Sequence, residues 1–342
     1  MSSFLFRTYS LHLIFYSSVN NLTNFGYLVH HCQRKTSMAL SALRSAISVP
    51  YPVANPGHGF WGEQTSTLNF CEEDYALSWY CAELCNTVTN GLFMWLGIRG
   101  IRNCMKEDHP SIFLISYIGY MVVGLGSILF HATLKYPMQL VDELSMIYTT
   151  CLMMHASFSY SRSQIFSVVL GVGLLSLAGS ITLYYYLTKD PIFHQVAYAA
   201  LTATVVFRSI WVMETQVRPV LHAQDPKRAS KLLNTMWAMV ATGLAVFLGG
   251  FLIWNLDNFF CSQVRQWRHA VGLPWAILLE GHAWWHLMTG LGAYYYITWG
   301  TWLRHCLAGR GDKYALVWPR LLTSVPYLKM MEEDQDQTKK SQ

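Results

Sequence analysis

Two histidines four residues apart, His282 and His286, could hold a metal ion together. Residues four apart share one face of a helix, with about 5–6 Å between their Cβ atoms, which suits two ligands of one ion. Ser127 and His131 repeat this spacing, and Asp142 follows after a short loop. A third imidazole would complete the ligand set of a catalytic zinc ion, which keeps one position open. A nearby carboxylate and hydroxyl would then serve amide or ester hydrolysis as proton acceptor and oxyanion donor.

Each of these residues also has an ordinary structural interpretation. Helices rich in aromatic residues carry histidines four apart by chance, and the Ser127 hydroxyl can bond to a carbonyl of its own helix. His131 could be an interfacial histidine that is half in water. The chemistry therefore depends on whether the fold brings these residues to one place.

The composition indicates a membrane protein. Of the 342 residues, 53% are hydrophobic and 13% are charged, whereas a soluble domain is about 25% charged. The net charge is +5, and the basic residues are scattered between apolar runs instead of forming a stripe. This pattern argues against a nucleic-acid-binding protein, and the composition argues against collagen-like, disordered and disulfide-scaffold classes.

Seven apolar runs are long enough to cross a bilayer, which takes about 20 residues. They lack the alternation of period two that a transmembrane β-barrel requires. The sequence therefore predicts an all-α integral membrane protein, a bundle of seven transmembrane helices with a metal site inside the membrane. The predicted spans are residues 78–98, 112–130, 140–158, 165–187, 193–213, 232–254 and 275–303.

Lysine and arginine residues set the predicted orientation, because short cytoplasmic loops carry an excess of them. The connections after spans one, three, five and seven hold most of these residues. The N-terminal side is therefore predicted to be lumenal and the C-terminus cytoplasmic. The basic residues on the predicted cytoplasmic side are Arg99, Arg102, Lys106, Arg162, Arg218, Lys227, Arg228, Lys231, Arg304, Arg310, Lys313 and Arg320.

This topology puts His131 and Asp142 at the lumenal ends of spans two and three, and His282 and His286 in the lumenal half of span seven. These residues then lie at a similar depth, with Ser127 one turn below His131. The sequence predicts a zinc site formed by the three histidines, with Asp142 as acid and base and Ser127 as oxyanion donor. Because such a pocket lies within the bilayer, the substrate is expected to be a lipid.

A segment rich in side-chain oxygens precedes span one. It includes Asn69, Glu72, Glu73 and Asp74, and Glu83 follows inside the span. Such a cluster suits Ca²⁺, which takes about six to eight oxygen ligands; a solvated acidic cap is the alternative. A charged glutamate within a span is costly unless it is paired, which favours a cation.

The remaining parts of the chain are divided by composition. We expect a leader of unknown role at residues 1–50, a lumenal acidic segment at 51–77, the seven-helix catalytic domain at 78–305 and a cytoplasmic tail at 306–342. Cys71 and Cys261 occupy lumenal loop positions, where disulfides form, and we hypothesise that they are bonded to each other.

The tail ends with Lys339 and Lys340 three and four residues from the C-terminus. This placement resembles a dilysine retrieval signal, which a receptor reads as an address; a solvated charged end is the alternative. We expect a multi-pass protein of the endoplasmic reticulum membrane, with the Golgi membrane as the alternative.

Several motifs, in the right order, resemble the alkaline ceramidase family. The resemblance covers about residues 60–305, and the leader and the tail lie outside it. The motifs are Thr65-Ser66-Thr67-Leu68, Cys71-Glu72-Glu73, Trp79-Tyr80, Gly126-Ser127 and the stretches at residues 131–136, 139–144, 191–195, 254–258 and 282–286.

The resemblance implies a seven-helix membrane amidase that hydrolyses ceramides to a sphingoid base and a free fatty acid. It implies that His131, His282 and His286 bind Zn²⁺. It also implies that Ser127 and Asp142 line the site as oxyanion donor and acid/base partner.

A second metal follows from the same resemblance. It implies a Ca²⁺ site formed by Asn69, the backbone carbonyl of Phe70, Glu72, Asp74 and Glu83. The family pattern has Asp at the position of Asn69 and Asn at the position of Asp74. Because the two exchanges keep the number of carboxylates, we expect calcium binding with an altered geometry.

A seven-helix receptor of the adiponectin and progestin type is the main alternative, since it holds zinc with similar histidines in a signalling role. The presence of Ser127 and Asp142, together with the acidic segment, favours the enzyme. A transporter would carry paired helices broken by Gly or Pro, which this sequence does not show. The expected partner is a membrane lipid, ceramide, with no nucleic acid and no obligate protein partner.

Overall fold

The computed structural model describes residues 48–320 and 324–331. Most of the leader and the Lys339–Lys340 pair lie outside the described residues. The described chain is mostly helical. Its α-helices are α1 (Leu84–Thr89), α2 (Gly91–Lys106), α3 (Ser111–Thr133), α4 (Tyr136–Ser159), α5 (Gln164–Thr188), α6 (Pro191–Val212), α7 (Arg218–Gln224), α8 (Pro226–Phe259), α9 (Cys261–Val271) and α10 (Gly281–Leu307).

Shorter elements complete the described chain. A π-helical turn, Met213–Val217, connects α6 to α7, and a 3₁₀ turn, Trp275–Leu279, precedes α10. A second 3₁₀ turn, Gly311–Lys313, leads into strand β1 (Tyr314–Val317), which pairs antiparallel with β2 (Tyr327–Met330).

The chain divides into two compact units. The described residues of the smaller unit are 48–51 and 268–276. Within it, Val49 and Leu273 form an antiparallel bridge, and the ring of Tyr51 meets that of His269 edge-on at 5.2 Å between centroids. The larger unit, Pro52–Trp267 and Ile277–Gln342, contains the helical bundle and all the site residues considered below.

Helix α10 forms the core of the larger unit. It packs against α8 over much of its length and also contacts α1, α2 and α3. Helix α3 packs between α2 and α4, and α4 contacts α5 and α6. Buried side chains are found along all of α10, and Trp299 is 2% exposed. Residues at the two ends of α10 are therefore held by a rigid, well-packed element.

Asp-Pro pairs begin two of the apolar helices. Asp190 accepts a hydrogen bond from the backbone N–H of Ile192, and Pro191 is the first residue of α6. Asp225 likewise accepts from the N–H groups of Lys227 and Arg228 at the start of α8. A capping carboxylate satisfies N–H groups that lack a partner in the helix, and proline is well suited to its first position.

Four helical stretches of the described chain are long and apolar enough to cross a membrane, judged by length and composition. They are Ser111–Thr133, Gln164–Thr188, Pro191–Gln224 and Pro226–Phe259. The other three predicted spans also overlap helices, namely α2, α4 and α10.

The first and last predicted spans are wrong at their N-terminal ends. Residues 78–83 are not helical, and the first helical segment begins at Leu84 and continues, after a break at Asn90, to Lys106. The last span was predicted from residue 275, but α10 begins at Gly281. Hydropathy reports that a stretch is apolar and not which backbone conformation it adopts.

A short β-hairpin is present beside the helices, within the residues predicted to form the tail. The β1–β2 hairpin lies within residues 306–342 and packs on the helices: Leu328 is buried, and its carbonyl accepts a hydrogen bond from the Asn103 side chain at 2.8 Å. The hydroxyl of Tyr294 donates to the carbonyl of Pro326 at 3.0 Å. Residues 314–320 and 324–330 are therefore part of the folded unit.

Candidate metal centre

Three buried histidines meet at one end of the bundle. His131 lies in the last turn of α3, and His282 and His286 lie in the first two turns of α10. One ring nitrogen from each lies within 4.8 Å of the others, and their ring centroids are 4.5–5.1 Å apart. Among the described residues, this group, which we call the histidine site, is the one cluster of histidine, cysteine and acidic side chains with such a geometry.

Two ring nitrogens of the histidine site have no hydrogen-bond partner within the described chain. They are Nε2 of His131 and Nδ1 of His282, and both are buried. An unsatisfied buried polar atom is costly, and imidazole nitrogens are common metal ligands. The donor set therefore fits a metal ion.

Glu83 fixes the orientation of His131. Its Oε2 lies 2.5 Å from Nδ1 of His131. When the carboxylate is ionised it can accept a proton only from Nδ1–H, and this tautomer leaves the lone pair on Nε2. The backbone supports the contact, because the N–H of Glu83 donates to the carbonyl of His131 at 3.0 Å and that of Ala82 donates to Ala132. A carboxylate that holds a ligating histidine in this way is a common supporting feature of metal sites.

The break between α1 and α2 supplies the partners of His286. Its Nδ1 lies 3.2 Å from Oγ1 of Thr89 and 3.1 Å from Nδ2 of Asn90. The Asn90 amide also donates to Oγ of Ser127 at 2.8 Å, so Ser127 is connected to the histidine site through one side chain. Thr89 and Asn90 had not been identified from the sequence, where a polar pair within an apolar run was the available signal.

Aromatic rings cover the histidine site. Phe70 stacks on His282 with ring centroids 3.8 Å apart and an angle of 20° between the planes. Trp254 meets His282 edge-on at 5.5 Å. These rings exclude water from the imidazoles, which strengthens electrostatic interactions at the site.

Ser127 and Asp142 lie on neighbouring helices that come unusually close. Ser127 is buried on α3, and Asp142 is half-buried in the second turn of α4. A Cβ on Gly126 would lie 3.0 Å from both the Cα and the N of Asp142. The absence of a side chain at position 126 therefore lets the backbone of Asp142 pack directly against the turn that carries Ser127.

A buried polar network surrounds the residue after Asp142. The carboxylate of Glu143 accepts hydrogen bonds from Gln139 at 2.9 Å and from the hydroxyl of Tyr185. Nδ1 of His194 lies 3.4 Å from the same carboxylate. The network ties α4 to α5 and α6 and so holds the part of α4 that carries Asp142. From the sequence, Glu143 was one of several ionisable residues inside a predicted span, without a specific role.

The acidic segment folds against the start of α1. The Glu72 carboxylate accepts hydrogen bonds from the N–H groups of Cys85 and Asn86, at 2.7 and 2.8 Å. The predicted disulfide between Cys71 and Cys261 is confirmed, with 5.4 Å between the Cα atoms. The segment is therefore fixed at both Glu72 and Cys71.

The predicted calcium ligands lie near one another in this segment. Nδ2 of Asn69 donates to Oδ2 of Asp74 at 3.1 Å, while Oδ1 of Asp74 is buried without a hydrogen-bond partner in the described chain. Burial raises the pKa of Asp74 despite the opposing effects of Asn69 and the charge of Arg265. The Phe70 carbonyl accepts from Arg265 at 3.3 Å. The free Asp74 oxygen fits a hard cation, which would compete with Arg265 for the Phe70 carbonyl.

Comparison with known proteins identifies the family. The family model described as Ceramidase matches residues 62–329. Alkaline ceramidase 3 of Mus musculus is 39% identical over 249 residues, which cover 72% of this chain and 86% of that protein. Alkaline ceramidase YPC1 of Saccharomyces cerevisiae is 32% identical over 280 residues, covering 76% and 83%. Alkaline ceramidase of Arabidopsis thaliana is 28% identical over 237 residues, covering 69% and 82%.

The matched region is longer than the sequence motifs indicated. It passes residue 305 and includes nearly all of the β1–β2 hairpin, so the prediction that the resemblance ends with the last helix was wrong. The histidine site and the proposed calcium ligands at residues 69–83 also lie within the match, and the chain belongs to the ceramidase family.

Proposed function

We propose that the chain hydrolyses the amide bond of ceramides and releases a sphingoid base and a free fatty acid. As a member of the ceramidase family it is a hydrolase. The observation that carries the proposal is the buried histidine site, whose two unpartnered ring nitrogens fit a catalytic metal. The histidine site is within a helical bundle that has apolar stretches of membrane-spanning length, as an enzyme acting on a lipid would need.

Zinc is the metal we propose for the histidine site, held by His131, His282 and His286. Three imidazoles with an open fourth position are typical of catalytic zinc. When bound, zinc would polarise the amide carbonyl and make water nucleophilic near neutral pH. Glu83 would keep Nε2 of His131 unprotonated, and Phe70 and Trp254 would shield the imidazoles from bulk water.

Asp142 and Ser127 are proposed as the catalytic side chains. Asp142 would accept a proton from the attacking water while the water oxygen forms a bond to the carbonyl carbon. It would then deliver that proton to the amide nitrogen as the C–N bond breaks. The Ser127 hydroxyl would donate a hydrogen bond to the carbonyl oxygen as it becomes negative. The Asn90 amide, which donates to Ser127 Oγ at 2.8 Å, would orient the hydroxyl proton away from itself.

Calcium is proposed at Asn69, the Phe70 carbonyl, Glu72, Asp74 and Glu83. The unpartnered oxygen of Asp74 supports this proposal, because Ca²⁺ requires carboxylate and carbonyl oxygens. Glu83 also contacts His131 at 2.5 Å. A calcium ion bound to Glu83 would therefore hold in place the carboxylate that orients a zinc ligand.

We further propose that α2, α3, α4, α5, α6, α8 and α10 cross the membrane, with the histidine site on the lumenal side. Four of these helices lie in stretches with the length and apolar composition of a span. The basic residues in the connections support a cytoplasmic C-terminal side. The endoplasmic reticulum is the membrane we propose. The receptor-like alternative is not favoured, because the chain matches the ceramidase family over residues 62–329.

Fatty-acid release by the purified protein tests the proposed function. Phytoceramide and a sphingosine-based ceramide are supplied in detergent, and zinc content is measured on the same sample. We expect release that is lost on removal of the metal by a chelator and restored by zinc but not by magnesium. Stoichiometric zinc without cleavage of either ceramide, with or without calcium, would contradict the proposal.

Glu83→Gln is expected to weaken zinc binding by about 10–100-fold, which is the usual cost of changing a residue that supports a metal ligand. The amide that replaces the carboxylate cannot hold the Nδ1 proton of His131 with the same strength. Zinc affinity is measured by chelator competition in the absence of calcium. Glu63→Gln is the matched control, because Glu63 is an exposed glutamate of the non-helical stretch that also contains Glu83. Equal affinity in the Glu83 and Glu63 variants would contradict the supporting role.

Gly126→Ala is expected to lower kcat about tenfold, because its Cβ would lie 3.0 Å from the backbone of Asp142. Helices α3 and α4 must then separate by a few tenths of an ångström, and a misplacement of about 1 Å can cost roughly 100-fold. Zinc content should not change. Gly173→Ala on α5 is the control, since a Cβ there meets no atom within 4 Å. A wild-type kcat for Gly126→Ala would show that this close approach does not position Asp142.

A further inference from the structure

Three arginines gather at the end of the bundle opposite the histidine site. Arg162 lies between α4 and α5, Arg208 lies near the end of α6, and Arg304 lies in the last turn of α10. Arg304 follows His282 by 22 residues on the same helix, which corresponds to about 33 Å of rise. The arginines therefore lie about one bilayer thickness away from the histidine site.

The three guanidinium groups lie around the C-terminal end of α4. Arg208 is 5.0 Å from the ring of Phe158, and Arg304 is 4.4 Å from the ring of Tyr160. Arg162 lies two residues after Tyr160 in the chain and 5.7 Å from the ring of Phe166. Stacking on aromatic rings holds guanidinium groups in place without neutralising their charge.

No carboxylate neutralises these three charges among the residues that the structure describes. Two other arginines of the described chain are paired with carboxylates: Arg218 with Glu214, and Arg228 with Asp312 at 2.5 Å. Nε of Arg208 is buried and has no hydrogen-bond partner in the described chain. Arg304 donates one hydrogen bond, from Nη2 to the carbonyl of Ala156. The cluster thus has three positive charges and several donors available to an anion.

The surroundings of the three arginines are apolar, as a site for a lipid requires. A cleft beside Arg304 has apolar walls that include Phe113, Met153 and Leu303. On α6, Phe207 precedes Arg208 and is 71% exposed, and Trp211, whose ring lies 4.6 Å from the Arg208 guanidinium, is 52% exposed. Helix α6 belongs to a stretch that is apolar enough to cross a membrane. A ligand of this site would therefore combine an anionic group with long apolar chains.

We propose that Arg162, Arg208 and Arg304 bind the phosphate of an anionic phospholipid, whose acyl chains lie along α6. A guanidinium group can donate two parallel hydrogen bonds to the oxygens of one phosphate, and these charge-assisted bonds are strong. Basic pockets between transmembrane helices bind anionic head groups in this way. Snorkelling of a side chain to the membrane surface accounts for one arginine, but it does not explain why three unpaired arginines surround the same end of α4.

Native mass spectrometry of the full-length protein in detergent tests the proposal with dioleoyl phosphatidate as the probe. Dioleoyl phosphatidylcholine is the lipid control, because it has the same chains and no net charge. We expect phosphatidate to bind at least about fivefold more tightly than phosphatidylcholine. Arg208→Gln should weaken phosphatidate binding about fivefold, from about 1 kcal/mol per basic residue, and Arg208→Gln with Arg304→Gln about 25-fold. Arg102→Gln, an exposed arginine at the same end, should change it less than twofold.

Three outcomes would overturn the proposal. Equal affinity for the two lipids would show that charge is not recognised, and an equal loss in Arg102→Gln would indicate a general surface charge. Displacement of phosphatidate by micromolar inorganic phosphate would indicate a site for the free anion. Arg208→Lys guards against misfolding of the Gln variant: it keeps the charge without the fork, and its affinity is expected to lie between wild type and Arg208→Gln. If folded Arg208→Lys binds phosphatidate no more tightly than it binds phosphatidylcholine, that result would also count against the site.

Discussion

His282→Ala is expected to abolish both metal binding and fatty-acid release. The imidazole lies in the first turn of α10, stacked on Phe70 at 3.8 Å, with its Nδ1 buried and unpartnered in the described chain. Its removal leaves two imidazoles at the site. Because changing a residue that only supports a ligand costs about 10–100-fold, loss of the ligand itself should cost more than about 100-fold in zinc affinity and in turnover.

Zinc per chain and fatty-acid release are measured on the same preparation of this variant. His58→Ala is the matched control, since His58 is an exposed imidazole of the segment that precedes α1. It should retain both zinc and activity. An intact Cys71–Cys261 disulfide in the His282 variant would show that the protein is folded. Stoichiometric zinc together with normal turnover would remove His282 from the ligand set.

The helices and the meeting of the three histidines could be predicted from the sequence. Apolar runs are a local property, and each of the seven predicted runs overlaps a helix. The positions of His131, His282 and His286 relative to the ends of those runs were enough to place them at one depth. Their mutual proximity followed from the alternating direction of successive helices, and it agrees with ring nitrogens that lie within 4.8 Å of one another.

The partners of the histidines could not be predicted in this way. Glu83 was interpreted as a calcium ligand, yet its carboxylate also contacts His131 at 2.5 Å. This contact depends on the pairing of residues 82–83 with the carbonyls of residues 131 and 132, which is a tertiary feature of a non-helical segment. Asn90 meets His286 because the helix breaks between α1 and α2, and no local signal shows which distant side chain that break contacts.

The β1–β2 hairpin was missed for a similar reason. Its strands are four residues each, too short for an alternating pattern to stand out. Their stability comes from contacts with helices distant in the sequence, such as the hydrogen bond from Asn103 to Leu328 at 2.8 Å. A charged, polar C-terminal region therefore resembled a solvated tail although part of it is folded.

Asp142→Asn is expected to leave zinc in place and to lower kcat about 10²–10⁴-fold, the range that a general acid or base contributes. Asparagine has nearly the same shape as aspartate, so the backbone of position 142 would still pack closely against Gly126. A Cβ on Gly126 would lie only 3.0 Å from that backbone. The amide cannot accept a proton from water or return one to the leaving nitrogen. The loss should therefore appear in kcat and not in the zinc content.

The pH dependence separates a catalytic role of Asp142 from a structural one. If its carboxylate is the base, kcat/KM of the wild type falls at low pH as it becomes protonated, and this acidic limb disappears in Asp142→Asn. Asp190→Asn is the matched control: it lies at the start of α6, where asparagine also caps a helix, and its rate and profile should match wild type. A wild-type rate in Asp142→Asn, or a low rate with the acidic limb unchanged, would assign proton transfer to another group.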